Sequence, residues 1–275
     1  MLTKTELLNL WNEYGFRPVK RLGQNFLIDK NIEEKILANL GLNSGDTVIE
    51  IGAGFGELTR SLAEIAGKVF AIEKDRTIVR ILKEALRLPS NVELLEQDFL
   101  DFDIAGRVRG KKMVVYGNLP YYITSPIIEK LIDKRAAIET IYLVVQKEVA
   151  ERIVAGPGSK ETGRLSLYVQ YYTRPEILFK ISKNSFYPAP EVESAFLKLG
   201  MRKTNPVSVK DEARMFRIIK KAYSQRRKTI ANSLTDENLK KTATLAFLKS
   251  AKINPNSRPE TLSLKDFARL TNVWD

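Results

Sequence analysis

The residues best placed to do chemistry are three glycines and two acids that fall where apolar runs end. EIGAGFGELTR (50–60) sets Gly52, Gly54 and Gly56 between a strand-like run and a helix-like one. Glycines there let the backbone turn tightly and approach a ligand without a Cβ in the way. The spacing is GxGxG rather than the GxGxxG of a nicotinamide site, and alone it describes no more than a tight turn. The next apolar run, KVFAIEKD, brings Glu73 near the ~20-residue offset at which an acid meets ribose hydroxyls. The third, VELLEQDF, leads into Asp98. Glu73 can accept from both ribose hydroxyls, and Asp98 from an adenine amino group. Asp98 by itself would read as a helix N-cap; with the glycines and Glu73 it reads as part of an adenosine site. The chain has no GxxxxGK[ST] loop, no histidine and no cysteine. An adenosine-bearing ligand here points to S-adenosylmethionine rather than ATP.

A second stretch poses a question. YGNLPYY (116–122) follows a short apolar run and precedes ITSPIIEKLI, so an Asn, a Pro and two Tyr occupy one strand-to-helix turn. With no histidine or cysteine, the commonest general base, thiolate catalysis and Cys-zinc chemistry are excluded.

The elements that must position these residues alternate along the chain. Strand-like runs occur at TVIEI (47–51), KVFAIE (68–73), VELLEQ (92–97), KMVVYG (112–117) and TIYLVV (140–145). Amphipathic stretches, ELTRSLAEIAG, RTIVRILKEALR and SPIIEKLIDKR, lie between them. This alternation predicts βαβ units and a doubly wound, Rossmann-like parallel sheet. In such a sheet the glycine turn and both acids share the carboxyl edge, where ligands bind. ILFKISKNSFYPAPEVESAFLKLGM predicts an antiparallel hairpin at the sheet edge. RKTNPVS (202–208) marks a boundary, giving domains 1–203 and 204–275. The second reads as helical: DEARMFRIIKKAYS, RRKTIANSL, ENLKKTATLAFLKS and SLKDFARLTNV. The N-terminal MLTKTELLNLWNEYGF reads as an amphipathic helix with no signal-peptide core. No run is apolar and long enough to span a membrane, and a cytoplasmic protein fits.

The 275 residues carry a formal net charge of +12. Residues 1–200 hold 28 basic and 26 acidic residues, whereas residues 201–275 hold 17 and 7, a net of +10. A compact basic module beside a nearly neutral one predicts a polyanion partner, most simply nucleic acid. Arg226, Arg227 and Lys228 are consecutive, with Lys220 and Lys221 about two turns earlier. Such residues position RNA through its phosphates. The alternative for each is a solvated helix face.

LGQNFLID (22–29), EIGAGFGELT, AIEKD, EQDF, GNLPYYITSP and FYPAPEVESA occur in this order. In this the chain resembles the ribosomal RNA adenine N6,N6-dimethyltransferase family, from about residue 10 to the end, and SQRRKTIANSL in a basic helical module is similar to its bacterial small-subunit branch. The resemblance implies an α/β fold: a Rossmann-like S-adenosylmethionine-dependent methyltransferase domain, mostly parallel with an antiparallel edge hairpin, plus a small all-α C-terminal domain. It implies S-adenosyl-L-methionine as cofactor, held by Gln24, Asn25, Leu27, Gly52, Gly54, Glu73, Lys74, Asp98 and Phe99, with Asn118 between cofactor and target base. It implies small-subunit rRNA, within an immature small ribosomal subunit, as partner of a monomer. The substrate it implies is two adjacent adenosines in the 3′-terminal hairpin loop. The alternatives are a large-subunit rRNA dimethyltransferase of the macrolide-resistance type and a mainly non-catalytic ribosome-assembly factor.

That reading answers the question of YGNLPYY. The adenine amine is a poor nucleophile and the sulfonium methyl is already activated, so the protein's task is to aim a lone pair. Asn118 can accept one N–H and a backbone carbonyl of Leu119 or Pro120 another, while Pro120 fixes φ. No base is required, since the methylated ammonium can lose its proton to water. Tyr121 is expected to stack on the extruded adenine, with Phe186 on the other face. Tyr122 is expected to pack.

Overall fold

The computed structural model describes residues 2–19, 23–107, 110–225, 227–236 and 239–274. By internal contacts these form two compact units, Met1–Ala150 with Glu176–Met201, and Glu151–Pro175 with Arg202–Asp275. The sequence places one cut at 203/204; in the structure residues 151–175 also join the C-terminal helices. The reason is aromatic. Tyr168, Tyr171 and Tyr172 of α7 (Arg164–Tyr172) meet Phe216 of α8 (Glu212–Tyr223) at ring-centroid distances of 5.2, 5.3 and 5.8 Å. Arg202 Nε also donates to the carbonyls of Gln170 and Thr173.

In the first unit, α1 (Lys4–Tyr14), β1 (Phe26–Leu27) and α2 (Lys30–Leu40) precede a seven-stranded sheet. Its strands are β2 (Thr47–Ile51), β3 (Lys68–Glu73), β4 (Val92–Glu96), β5 (Met113–Asn118), β6 (Ile138–Gln146), β7 (Thr173–Ile181) and β9 (Ser194–Met201), in the order β4-β3-β2-β5-β6-β9-β7. The first five strands in that order run parallel, and β9 is antiparallel to β6. The expected edge hairpin is present as neighbouring β9 and β7. Strands β2, β5 and β6 are buried almost throughout because helices cover both faces. From β2 the chain builds outward through β3 and β4, then returns to place β5 on the other side. The order therefore reverses between β2 and β5, and their carboxyl ends frame a crevice.

A second, two-stranded sheet pairs β1 with β8 (Phe186–Tyr187), in the register Phe26↔Tyr187 and Leu27↔Phe186. Asp29 locks the junction. Its Oδ1 caps α2 by accepting from Asn31 and Ile32, and its Oδ2 accepts from Ser185 Oγ at 2.8 Å.

Two expected helices are shorter in the structure. The run from Arg76 is α4 (Arg76–Ile81), continues as a π turn over Leu82–Leu86 and ends at Arg87 with φ 39°. RRKTIANSL is helical only as α9 (Ile230–Leu234), because the Thr229 hydroxyl caps it there. Helices α3 (Glu57–Ile65), α5 (Thr124–Asp133), α10 (Lys241–Ser250) and α11 (Leu264–Val273) follow the expected runs. Helices α6 (Lys147–Val154) and α7 were not expected; α7 carries three Tyr and a Val, residue types that favour strands. Among the described residues no helix is long and apolar enough to cross a membrane.

Candidate active site

The crevice at the reversal of strand order opens into a cavity of about 450 Å³. Its wall includes Gln24, Asn25, Leu27, Gly52, Gly54, Glu73, Lys74, Asp98, Phe99, Asn118 and Pro120. Ten expected cofactor residues, from segments spread over 95 positions, thus come to one place.

The glycine turn follows β2. Gly52 has φ 77° and Gly54 φ 55°, the left-handed region that glycine occupies without strain. A Cβ at Gly54 would stand 2.9 Å from Glu57 Oε2. The freed peptide is used: Gly54 N–H donates to Glu73 Oε2 at 3.0 Å. Glu73 Oε1 accepts from the amides of Lys74 and Asp75, both at 2.8 Å. Burial pushes the Glu73 carboxyl up, against the pull of those three amides. With about four acceptor sites on a carboxylate, three are filled and one on Oε2 remains.

Asp98 is at once a cap and a cavity residue. Oδ1 accepts from the Leu100 amide at 2.9 Å, and Oδ2 pairs with Lys74 Nζ at 2.6 Å. Partial burial would raise its pKa; the bonds to Lys74 and Leu100 outweigh that and hold it low.

At the end of β5, Asn118 Nδ2 donates to the Asn25 carbonyl at 3.1 Å. This sets the amide's orientation and leaves Oδ1 as its acceptor; among the described residues none donates to it. The Pro120 carbonyl accepts from Ile123 N–H and Thr124 Oγ1, both at 3.2 Å. It is committed to the next turn, whereas the Leu119 carbonyl has no donor among the described residues. The Leu119 side chain is buried, and its N–H is held by the Val144 carbonyl at 3.0 Å. Gly23 packs on Pro120, where an added Cβ would come within 3.2 Å of the ring. Gln24 is fixed too: Nε2 donates to Asp75 Oδ2, and Oε1 accepts from Val19 N–H. The LGQNF segment therefore braces the NLPY turn from outside.

The aromatics divide differently from expectation. The half-buried Tyr121 is tethered through its hydroxyl to Ser194 Oγ at 3.2 Å, so the FYPAPEVESA segment holds its ring. Phe186 is 4% exposed and paired with Leu27 in the core, and neither it nor Tyr121 is part of the cavity wall. Tyr122, expected to pack, is 55% exposed and lies on the cavity wall.

Two lining acids were missed. Glu50 lies inside β2 and Glu57 opens α3. The signal was available: an acid in the middle of VIEIG breaks an otherwise apolar buried strand. Burial drives both carboxyls up to about 8; the Thr59 hydroxyl pulls Glu50 down, while Glu57 and Glu73 push it further up.

In the second unit Lys220, Arg227 and Lys228 are exposed, the last two in the turn before α9 rather than on a helix. Lys221 is paired with Asp236 at 2.5 Å, so its charge is partly answered within the unit. Arg226 lies outside the described residues.

A family model described as "Ribosomal RNA adenine dimethylase" matches residues 15–275. "Ribosomal RNA small subunit methyltransferase A" of Alkaliphilus oremlandii is 41% identical over 266 residues, covering 94% of this chain and 93% of that one. The protein of the same name from Moorella thermoacetica is 44% identical over 280 residues, covering 98% and 97%. Among solved structures, a dimethyladenosine transferase from Plasmodium falciparum superposes with TM-score 0.74 at 27% identity, covering 89% of this chain and 95% of its own. The 23S rRNA methyltransferase ErmE superposes with TM-score 0.69 at 26% identity, covering 90% and 99%.

Proposed function

The chain belongs to the ribosomal RNA adenine dimethylase family, and from that premise we propose that it dimethylates N6 of two adjacent adenosines in the 3′-terminal hairpin loop of small-subunit rRNA. It is an S-adenosylmethionine-dependent enzyme, and the cavity fits that group: a left-handed glycine turn, a buried acid with one free acceptor site, and a second acid 25 residues on. Gly52, Gly54, Glu73, Asp98, Asn25 and Leu27 would hold it. When bound, the cofactor supplies an electrophilic methyl group.

The protein's own contribution is orientation. The observation that carries the reading is Asn118, whose Nδ2 is tied to Asn25, leaving Oδ1 as a fixed neutral acceptor. The Leu119 carbonyl is the second acceptor, since that of Pro120 is already engaged. Two acceptors on one amine hold its hydrogens and turn its lone pair toward a single direction. Tyr121, anchored by Ser194, offers the aromatic face for the extruded adenine. The basic residues Lys220, Arg226, Arg227 and Lys228 hold the RNA by its phosphates, with Lys221 a weaker contributor.

The small-subunit substrate is favoured over the large-subunit one by the 41–44% identical relatives. We place the enzyme in the cytoplasm as a monomer acting on the immature small subunit, with the first unit serving catalysis and the second RNA binding. Radiolabelled methyl transfer to purified small and large subunits tests this: label is expected in the small subunit at two adjacent adenosines, and label confined to the large subunit would overturn it.

A further inference from the structure

The cavity carries more acid than an adenosine needs. Among the described residues that line it, five are carboxylates, Glu50, Glu57, Glu73, Asp75 and Asp98, and one, Lys74, is cationic. Lys74 is already bonded to Asp98. Asp75 caps α4 and takes the Gln24 amide. Glu73 is held by three backbone N–H groups. Glu50 and Glu57 are left facing the same space with no counter-charge.

Their settings differ in detail and agree in effect. Glu50 is 2% exposed and accepts one bond, from Thr59 Oγ1 at 2.6 Å. Glu57 Oε1 is shielded from solvent and has no donor, and the backbone N–H groups of Glu57 itself and Phe55 pull the carboxyl down without overcoming its burial. Both acids meet the Gly54 turn: a Cβ there would stand 2.9 Å from Glu57 Oε2, and the Gly54 N–H donates to Glu73 Oε2 at 3.0 Å. The groups facing this pair from the packed elements are Glu33 of α2, Glu73 of β3 and Tyr116 of β5, all acids; Ser61 answers Glu33. A buried carboxylate whose few neutral donors do not offset its lost hydration is costly to ionise, so such a group stays neutral until a cation enters. Burial holding both at about 8 is consistent with that geometry.

On the reading that this cavity takes S-adenosylmethionine, we propose that Glu57, with Glu50, senses the charge of the cofactor: ionised against the sulfonium form and neutral against the uncharged thioether product. The balance closes. On binding the cationic cofactor, the wall changes from carboxyl to carboxylate and one proton goes to solvent. Methyl transfer then leaves a neutral thioether and frees one proton from the methylated amine, while the carboxylate takes one proton from solvent. The cavity prefers the reactant because only the reactant answers its charge, and it releases the product as it neutralises.

Calorimetric titration of the ligand-free protein at pH 7, in buffers of different ionisation enthalpy, tests this without turnover. S-adenosylmethionine is expected to release up to about one proton per site, and S-adenosylhomocysteine markedly less. Glu57→Gln, which matches the neutral carboxyl in shape, is expected to abolish that release. It should weaken S-adenosylmethionine about tenfold, the equivalent of one pKa unit of coupling, while leaving S-adenosylhomocysteine within about twofold. Glu50→Gln should act in the same direction and less, since Thr59 already answers part of its charge. Equal proton exchange with both ligands in the wild-type protein, or an unchanged affinity ratio in a folded Glu57→Gln, would overturn the proposal. Failure of either ligand to bind wild-type protein would instead overturn the cofactor site itself.

Discussion

In the cavity of the first unit, charge is negative and held by the backbone: Glu73 by three amides, Asp98 by the Leu100 amide and Lys74. In the second unit, charge is positive and carried on long exposed side chains such as Lys220, Arg227 and Lys228. On the proposed function, the difference follows from what each recognises. A small ligand with a fixed shape rewards groups that cannot move, because orientation is settled before binding. A phosphate backbone rewards net charge and tolerates mobile contacts. Mutations in the first region should therefore act steeply on catalysis or cofactor affinity, and those in the second should act shallowly and in proportion to salt.

The largest expected effect tests the rigid region. Asn118→Ala should lower methyl transfer by roughly 100- to 1000-fold, the scale of losing one fixed polar partner of a transition state. Its cofactor affinity by calorimetry should stay within about threefold; near-normal transfer would break the assignment. Gly54→Ala comes next. The new Cβ meets Glu57 Oε2 at 2.9 Å in a left-handed backbone, so S-adenosylmethionine affinity should fall about 5- to 30-fold if the turn must relax to bind, since strain there costs about 1–2 kcal/mol. An unchanged dissociation constant would mean the turn is not the cradle.

Replacing Arg226, Arg227 and Lys228 by Ala probes the other side of the comparison. The slope of log affinity against log salt should flatten by about 2, at roughly 0.7 per single-strand phosphate contact, with cofactor affinity unchanged. Lys220→Ala should lower the slope further, and Lys221→Ala less, because Asp236 competes for it. A slope insensitive to all five would remove them from the RNA surface.

Two smaller effects sharpen the acidic side. Glu50 and Glu57 are raised from the model-peptide value 4.5 to about 8 in the folded chain. The folded state then binds more protons, so the stability they contribute is full below about 4.5 and is lost as pH rises through about 8. Thermal melts should drop between about pH 5 and 8 and level off above that, and Glu50→Gln should roughly halve that dependence by removing one of two contributors. A wild-type melt independent of pH in that window would contradict their buried, neutral state. Tyr121→Phe, losing only the Ser194 bond, should cost no more than about 1 kcal/mol of stability and a few-fold in kcat; a larger drop in kcat with normal RNA affinity would give the hydroxyl a role beyond tethering.

Much of the cofactor side was legible because it is local. A glycine turn after TVIEI and acids at the ends of the next two strands need only the strand pattern to be placed on one sheet edge. The aromatic side was less so. Phe186 read as a second stacking face but pairs with Leu27 across about 160 residues and is buried by that pairing. Tyr122 read as packing but stands on the cavity wall. In both cases exposure follows from a neighbour distant in sequence, and a local pattern carries no record of it. Helix α7 shows the same thing in the fold: its run carried no expected element, and its tyrosines pack on Phe216, distant in sequence.

The order of strands and helices, the position of the glycine turn, the acids on one edge and the concentration of basic residues after residue 200 are all properties of residue type and periodicity. They hold for any compact arrangement of this chain, because period-2 and period-3.6 patterns dictate which face is buried. Which lone pairs are left over is another matter. That Glu73 keeps one acceptor site, that Asn118 is turned by Asn25 so that Oδ1 is free, that Pro120 is spent and Leu119 is not, and that Glu50 and Glu57 lose water together were decided only when LGQNF, FYPAP and NLPY closed on one another. Hydrogen bonding and desolvation depend on atoms a few ångströms away, and those atoms come from segments that the chain order holds far apart.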